Sequence, residues 1–257
     1  MSFLSFDTLL IALVVGAASG AIGAFIILRR MALVGDALSH VALPGIAFAL
    51  SYAIDPFWGV VVFLLAAAVI VWSLEQKTNL HSEALIGLLF TLSLAVGILT
   101  IPDHEILESL FGGFSASSPE VLFIIIGAGT VLTALTFLSA RNFLFSIVAP
   151  DLARIENPRR SRWYDLALFI IFSFVVALGI KLVGTLLMGA LTIIPASISK
   201  NISRSMFGYI VMSTLLGGFV ALAGVIIADR IGFLPGPSVI ILGAALFIVS
   251  LFFVRKT

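Results

Sequence analysis

The chain has 257 residues, of which 61% are hydrophobic and only 11% charged, with 22 Phe, 22 Gly and no Cys. A soluble domain carries about 25% charged residues, so a water-soluble enzyme or binding module is excluded and the chain reads as an integral membrane protein. A net charge of +1 without a basic block argues against nucleic acid as a partner. The lack of cysteine removes disulfides, thiolate metal sites and redox motifs.

The apolar runs are near twenty residues each, which favours an all-α transmembrane helical bundle over a β-barrel. Spans are expected at 7–28, 31–52, 57–75, 84–101, 120–139, 165–181, 184–199, 207–228 and 238–254. That makes nine. Eight follow if the tight turn near Lys181-Leu-Val-Gly184 or the short seventh span is re-entrant. No internal repeat or linker divides the chain, so residues 1–257 are expected to form one domain.

Asp7 precedes the first run and Arg29-Arg30 follow it, the reverse of a cleaved signal peptide. The run is expected to stay as a span that starts outside the cell. On this plan twelve basic residues fall in cytoplasmic segments and only Lys181 and Arg230 fall outside. The positive-inside rule then places the N-terminus outside and the C-terminus inside. Gly16, Gly20 and Ala24 give the first span a ridge of small residues suited to close helix packing.

The second span opens with Asp36-Ala-Leu-Ser39-His40. Residues four apart share a helix face, and a rise of about 1.5 Å per residue from Met31 puts His40 roughly 15 Å deep. Ionisable groups at that depth are costly and mark paths for ions, protons or substrates. Imidazole and carboxylate oxygen together suit a transition-metal dication. The blander alternative is a carboxylate near the headgroups and a histidine satisfied by backbone. Pro44-Gly45 follows and can kink the span, and Ser39 is placed to bond one ligand.

Further ligands are scarce. Glu83 opens the fourth span, where a carboxylate suits the helix dipole. The outer loop holds Asp103-His104-Glu105 and Glu108. With Asp7, Asp55, Glu120 and Asp229, the outer face collects seven acids against two bases. Such a face attracts cations or docks a basic partner, so Asp103, His104 and Asp229 are candidates for an outer metal mouth. His81 reads as an ordinary loop residue.

The longest polar segment, Arg141 to Tyr164, reads as a cytoplasmic contact loop. A second informative stretch runs from Leu191 through Pro195-Ala196-Ser197-Ile198-Ser199-Lys200 to Ile202-Ser203-Arg204-Ser205. Here a span enters the cytoplasm, meets a proline and continues as a short amphipathic piece. Ile198 and Ile202 are expected on one face, with polar residues toward solvent or a motor partner. No G-x-x-x-x-G-K-[ST] phosphate loop and no H-E-x-x-H motif occur, so neither ATP hydrolysis by that route nor a zinc protease is expected. Val34-Gly-Asp36 and Tyr164-Asp165 are only faintly similar to the aspartate pairs of intramembrane proteases.

Arg29-Arg-Met-Ala-Leu-Val-Gly-Asp36-Ala-Leu-Ser-His40-Val-Ala-Leu-Pro-Gly45 closely resembles the signature of the zinc/manganese/iron permeases of ABC importers. Ala84-Leu-Ile-Gly87, Ser109-Leu-Phe-Gly112, Ala149-Pro-Asp-Leu-Ala153, Val183-Gly-Thr-Leu-Leu through Pro195-Ala196, and Pro235-Gly-Pro-Ser238 extend the resemblance along nearly the whole chain. It implies a multi-pass permease in a prokaryotic cell membrane, without an ATP site of its own. A homodimer partner, two cytoplasmic ATPase subunits and an extracellular metal-binding protein are implied as well. It also implies that Asp36 and His40 line the metal path, and that Pro195, Ala196, Ser197, Ile198, Lys200, Ile202 and Arg204 couple to the ATPase. The metal would be cargo, and no cofactor is expected to be bound permanently. Some zinc members carry a histidine near the position of Phe90, and many have an acid where Gly232 falls. A standalone carrier or cation channel is the alternative, distinguished by flux without an ATPase. An intramembrane hydrolase would need a catalytic pair that the sequence lacks.

Overall fold

The computed structural model describes residues 5–78, 80, 82–100, 119–185 and 187–253, and within these every regular element is helical. In chain order they are α1 (Phe6–Leu28), α2 (Val34–Ser51), α3 (Pro56–Lys77), α4 (Ser82–Thr100), α5 (Pro119–Val148), α6 (Pro150–Glu156), α7 (Pro158–Val183), α8 (Met188–Ile202), α9 (Met206–Ile231) and α10 (Pro235–Ser250). A short 3-10 turn, Leu251–Phe253, follows.

Local signals set the starts. Ser5 caps α1 by accepting from the Thr8 N–H, and Ser205 caps α9 by accepting from Gly208. Asp55 and Asn157 cap α3 and α7, each followed by proline in the first turn, where its missing N–H costs nothing. Gly232 ends α9 in the left-handed region at φ 78°.

Eight of these helices are long and apolar enough to cross a membrane. The chain is a multi-pass membrane protein. The expected seventh span differs. It is α8, fifteen residues long and so about 22 Å, short of the roughly 30 Å hydrocarbon layer.

Close backbone approaches give the relative directions of α1, α9 and α10. A Cβ on Gly16 would strike the Gly217 carbonyl, and one on Gly20 the Ser213 carbonyl, so α1 and α9 run antiparallel in tight contact. The small-residue ridge read in the sequence is this seam. Ser213 Oγ also donates to the Gly20 carbonyl at 2.5 Å. Gly224 lies against Val239, and Gly243 against Val220, so α10 returns antiparallel to α9. Hence α1 starts at one end of the bundle and α10 finishes at the other.

One end is tied by ions. Arg29, at the end of α1, donates to Asp165 of α7 at 2.8 Å and to Glu75 of α3 at 3.3 Å. Its guanidinium also covers the Phe169 ring, 5.2 Å from the centroid. The network gives Asp165 a structural partner. Helices α1, α2 and α7 form the buried centre, whereas α4, α5 and α10 turn most of their apolar surface outward.

Candidate functional site

The site is built where α2 meets the start of α8. Thr192, one turn into α8, faces Gly23 of α1. Gly23 lies well inside α1, so α8 begins deep within the bundle rather than at its far end. Helix α7 carries the chain to Val183, Gly184 turns it at φ 81°, and a short connector feeds α8. This is a discontinuous pass, an arrangement tolerated in a membrane where irregular backbone is surrounded by protein.

The connector is fastened to α2. Ser39 Oγ lies 2.6 Å from the Thr185 carbonyl oxygen and 2.7 Å from its own helix's Asp36 carbonyl, and donates to them. Ser39 was expected to bond a ligand side chain; it binds backbone instead. One turn on, Gly189 packs on Asp36, and a Cβ there would sit 2.7 Å from the Asp36 Cα and N. The position admits only glycine because two helix backbones meet at it. Sequence reasoning did not single out Gly189, although a glycine just after a connector is a usable sign of such an approach.

Asp36 and His40 differ in exposure. Asp36 is exposed on the single chain, while His40 is 7% exposed. The His40 ring meets Phe90 of α4 edge-on, with centroids 5.4 Å apart. Its buried Nδ1 has no hydrogen-bond partner among the described residues. A buried polar nitrogen without a partner is costly, and a lone pair held for a ligand gives it a purpose. Pro44 lies inside α2 without ending it.

The remaining candidates lie apart. Among the described residues no three His, Cys, Asp or Glu side chains gather closely enough to hold a metal. Asp103, His104, Glu105, Glu108 and His81 lie outside the described residues, as does the Ser109–Gly112 motif. Glu83 is exposed in the first turn of α4. Asp229 is partly buried near the end of α9 and has an interaction partner of its own.

The presumed coupling stretch also departs from expectation. Helix α8 runs unbroken through Pro195 to Ile202. Pro195, Ala196 and Ile198 are buried in the bundle, and Ser199 Oγ donates to the Tyr209 carbonyl at 2.7 Å. Ser197 is half-buried, and only Lys200, Ile202 and Arg204 of the expected set are exposed. Ile198 therefore packs inward, at 4% exposure, rather than facing solvent or a partner.

Comparison with known proteins agrees with this architecture. Residues 2–254 match the model of the ABC 3 transport family. The manganese import system permease protein ScaB of Streptococcus gordonii is 31% identical, over 97% of this chain and 91% of that protein. The high-affinity zinc uptake system membrane protein ZnuB of Haemophilus influenzae is 31% identical, over 96% of each. The solved structure of PsaBC from Streptococcus pneumoniae in complex with Fab superposes with a TM-score of 0.84 at 30% identity, covering 97% of this chain and 91% of that one. The protein belongs to the ABC 3 transport family.

Proposed function

We propose that the chain is the membrane-spanning permease of an ABC importer for a divalent transition metal, manganese or zinc foremost, with iron in the same ligand class. The observation that carries the metal path is the pairing of an exposed Asp36 with a buried, unpartnered His40 Nδ1 on one face of α2. Relatives named as manganese and zinc permeases support the choice of cargo.

Two protein ligands make a transit site. A closed tetrahedral cage would trap the ion, whereas a site completed by water or by a second copy of the chain releases it. The exposure of Asp36 favours a homodimer in which that face meets its partner. Alternating access follows if α8 and its connector move against α2, since Thr185 touches Ser39, beside His40, and Gly189 packs on Asp36 itself.

The basic residues favour a cytoplasmic location for the end that carries Arg29, Arg141 and Arg154, with the N-terminus outside and the C-terminus inside. An extracellular metal-binding protein would then deliver to the opposite face. Two exposed pieces at the basic end suit cytoplasmic ATPase subunits. One is the Lys200–Arg204 turn. The other is α6, where Leu152 is 61% and Ile155 80% exposed.

The test is energy dependence. Proteoliposomes holding this chain and its ATPase subunits should take up manganese or zinc only with ATP. Flux through the chain alone, without ATPase or nucleotide, would favour the standalone carrier instead.

A further inference from the structure

Two adjoining clefts open at the basic end, of about 500 and 390 Å³, sharing Ser146 and Ser161. The first is walled by the end of α5, by α6 and by the start of α7, and presents Arg141, Asn142 and Arg160. The second adds Arg29, Arg30 and Arg154. Five arginines line the pair against two acids, Glu156 and Asp165. Asp165 is occupied by Arg29. The side chains of Arg30 and Arg141 make no hydrogen bond or ion pair among the described residues. Arg160 is held in place by the Tyr164 hydroxyl, 3.1 Å from its Nη2, and by that ring, 5.6 Å from its centroid.

The clefts lie at the level of a membrane interface. Trp72 donates its indole N–H to the Arg162 carbonyl at 3.0 Å, and its ring lies 6.3 Å from that of Trp163. Paired indoles at a bundle end mark the headgroup layer. An apolar track leads there from the bilayer. Val131, Leu135, Leu138 and Phe145 are exposed at spacings of four, three and seven residues, one face of α5, and Asn142 of the cleft lies on the same face.

We infer that this end of the chain binds an anionic phospholipid, with its phosphate in the arginine cleft and its acyl chains along the Val131–Leu138 face. The ligand chemistry is a phosphate ester. The exposed apolar track assigns it to a lipid headgroup rather than to phosphate in solution, and basic clefts between spanning helices are suited to such headgroups. The inference needs only that the bundle spans a membrane, and stands independently of the metal path.

Native mass spectrometry of the full-length chain in mild detergent tests it. Dioleoylphosphatidylglycerol and dioleoylphosphatidylcholine are titrated separately, with inorganic phosphate and glycerol 3-phosphate as soluble arms. Phosphatidylglycerol should be retained in preference to phosphatidylcholine. R141Q/R160Q should lower that retention about tenfold or more, and R141K/R160K should largely restore it. Asn142→Asp, which adds a carboxylate while leaving every arginine in place, should weaken it too and decides the matter if the double glutamine variant does not fold. Equal retention of the two lipids, or unchanged retention in a folded R141Q/R160Q or N142D protein, would overturn the site. Displacement of the lipid by millimolar inorganic phosphate would assign the cleft to free phosphate and contradict the lipid.

Discussion

The Ser39 hydroxyl, between Asp36 and His40 on α2, donates to the Thr185 carbonyl of the α7–α8 connector across 2.6 Å. That bond fastens the proposed ligand helix to the discontinuous pass formed by the α7–α8 connector and α8. A shift of α8 is therefore felt at the ligands, and the reverse.

Removing the tether should affect transport more than stability. Ser39→Ala deletes a fully buried hydrogen bond, a loss of about 1 kcal/mol. The melting temperature in detergent should fall by a few degrees at most. ATP hydrolysis per metal transported should rise, because the connector and α2 no longer move together. A parental transport-to-hydrolysis ratio would mean that the bond is only structural.

Gly189 should tolerate no side chain. Gly189→Val sets a branched side chain against the Asp36 backbone, and overpacking of this kind costs typically about 1–3 kcal/mol. Metal uptake should be lost while the ATPase still associates, as judged by co-purification. Gly127, whose Cβ would meet nothing within 4 Å, is the control, and Gly127→Ala should behave as the parent.

The ion network at the basic end should act as a clamp on α1, α3 and α7. Arg29→Gln leaves Asp165 and Glu75 facing each other's charge without the guanidinium, and removing one partner of a fully buried pair costs roughly 3–5 kcal/mol. These side chains are 17–24% exposed, so solvent should reduce the loss to about half that. Thermal unfolding followed by size exclusion would measure it. R29Q/D165N should recover part of the loss, and additive losses would show that the two residues do not interact.

The docking surface can be resolved by paired variants. Leu152→Asp with Ile155→Asp changes only exposed positions of α6, and so should detach the ATPase or uncouple it without harming the fold. Lys200→Asp with Arg204→Asp tests the α8–α9 turn in the same way. Ile198→Asp is not informative about docking, because Ile198 is 4% exposed and its loss would disturb the core. An intact complex with full coupling in both paired variants would place the contact elsewhere.

Much of this was legible in the sequence. Apolar runs near bilayer length gave the spans, and the glycine ridge of α1 is a real seam with α9. Asp36 and His40 four residues apart did fall on α2, at its join with another helix. Phe90, singled out as the place where some zinc members have histidine, lies against the His40 ring. What could not be read was long-range pairing. Nothing local says that Gly189 meets Asp36, that Ser39 reaches Thr185, or that Arg29 collects carboxylates from α3 and α7. The burial of Ile198 was equally hidden, since an i, i+4 pair fixes a shared face but not what covers it.

The central claim is that Asp36 and His40 pass the metal. The most direct measurement is the initial rate of manganese and zinc uptake into proteoliposomes containing the complete importer, for Asp36→Ala and His40→Ala beside the parent. Co-purification of the ATPase and an unchanged elution volume establish that each variant is assembled. The account predicts that both variants lose uptake by about a hundredfold or more, since loss of a direct ligand should cost at least as much as the roughly 10–100-fold that changes to the residues around metal ligands cost. Uptake at the parental rate in both assembled variants would contradict it.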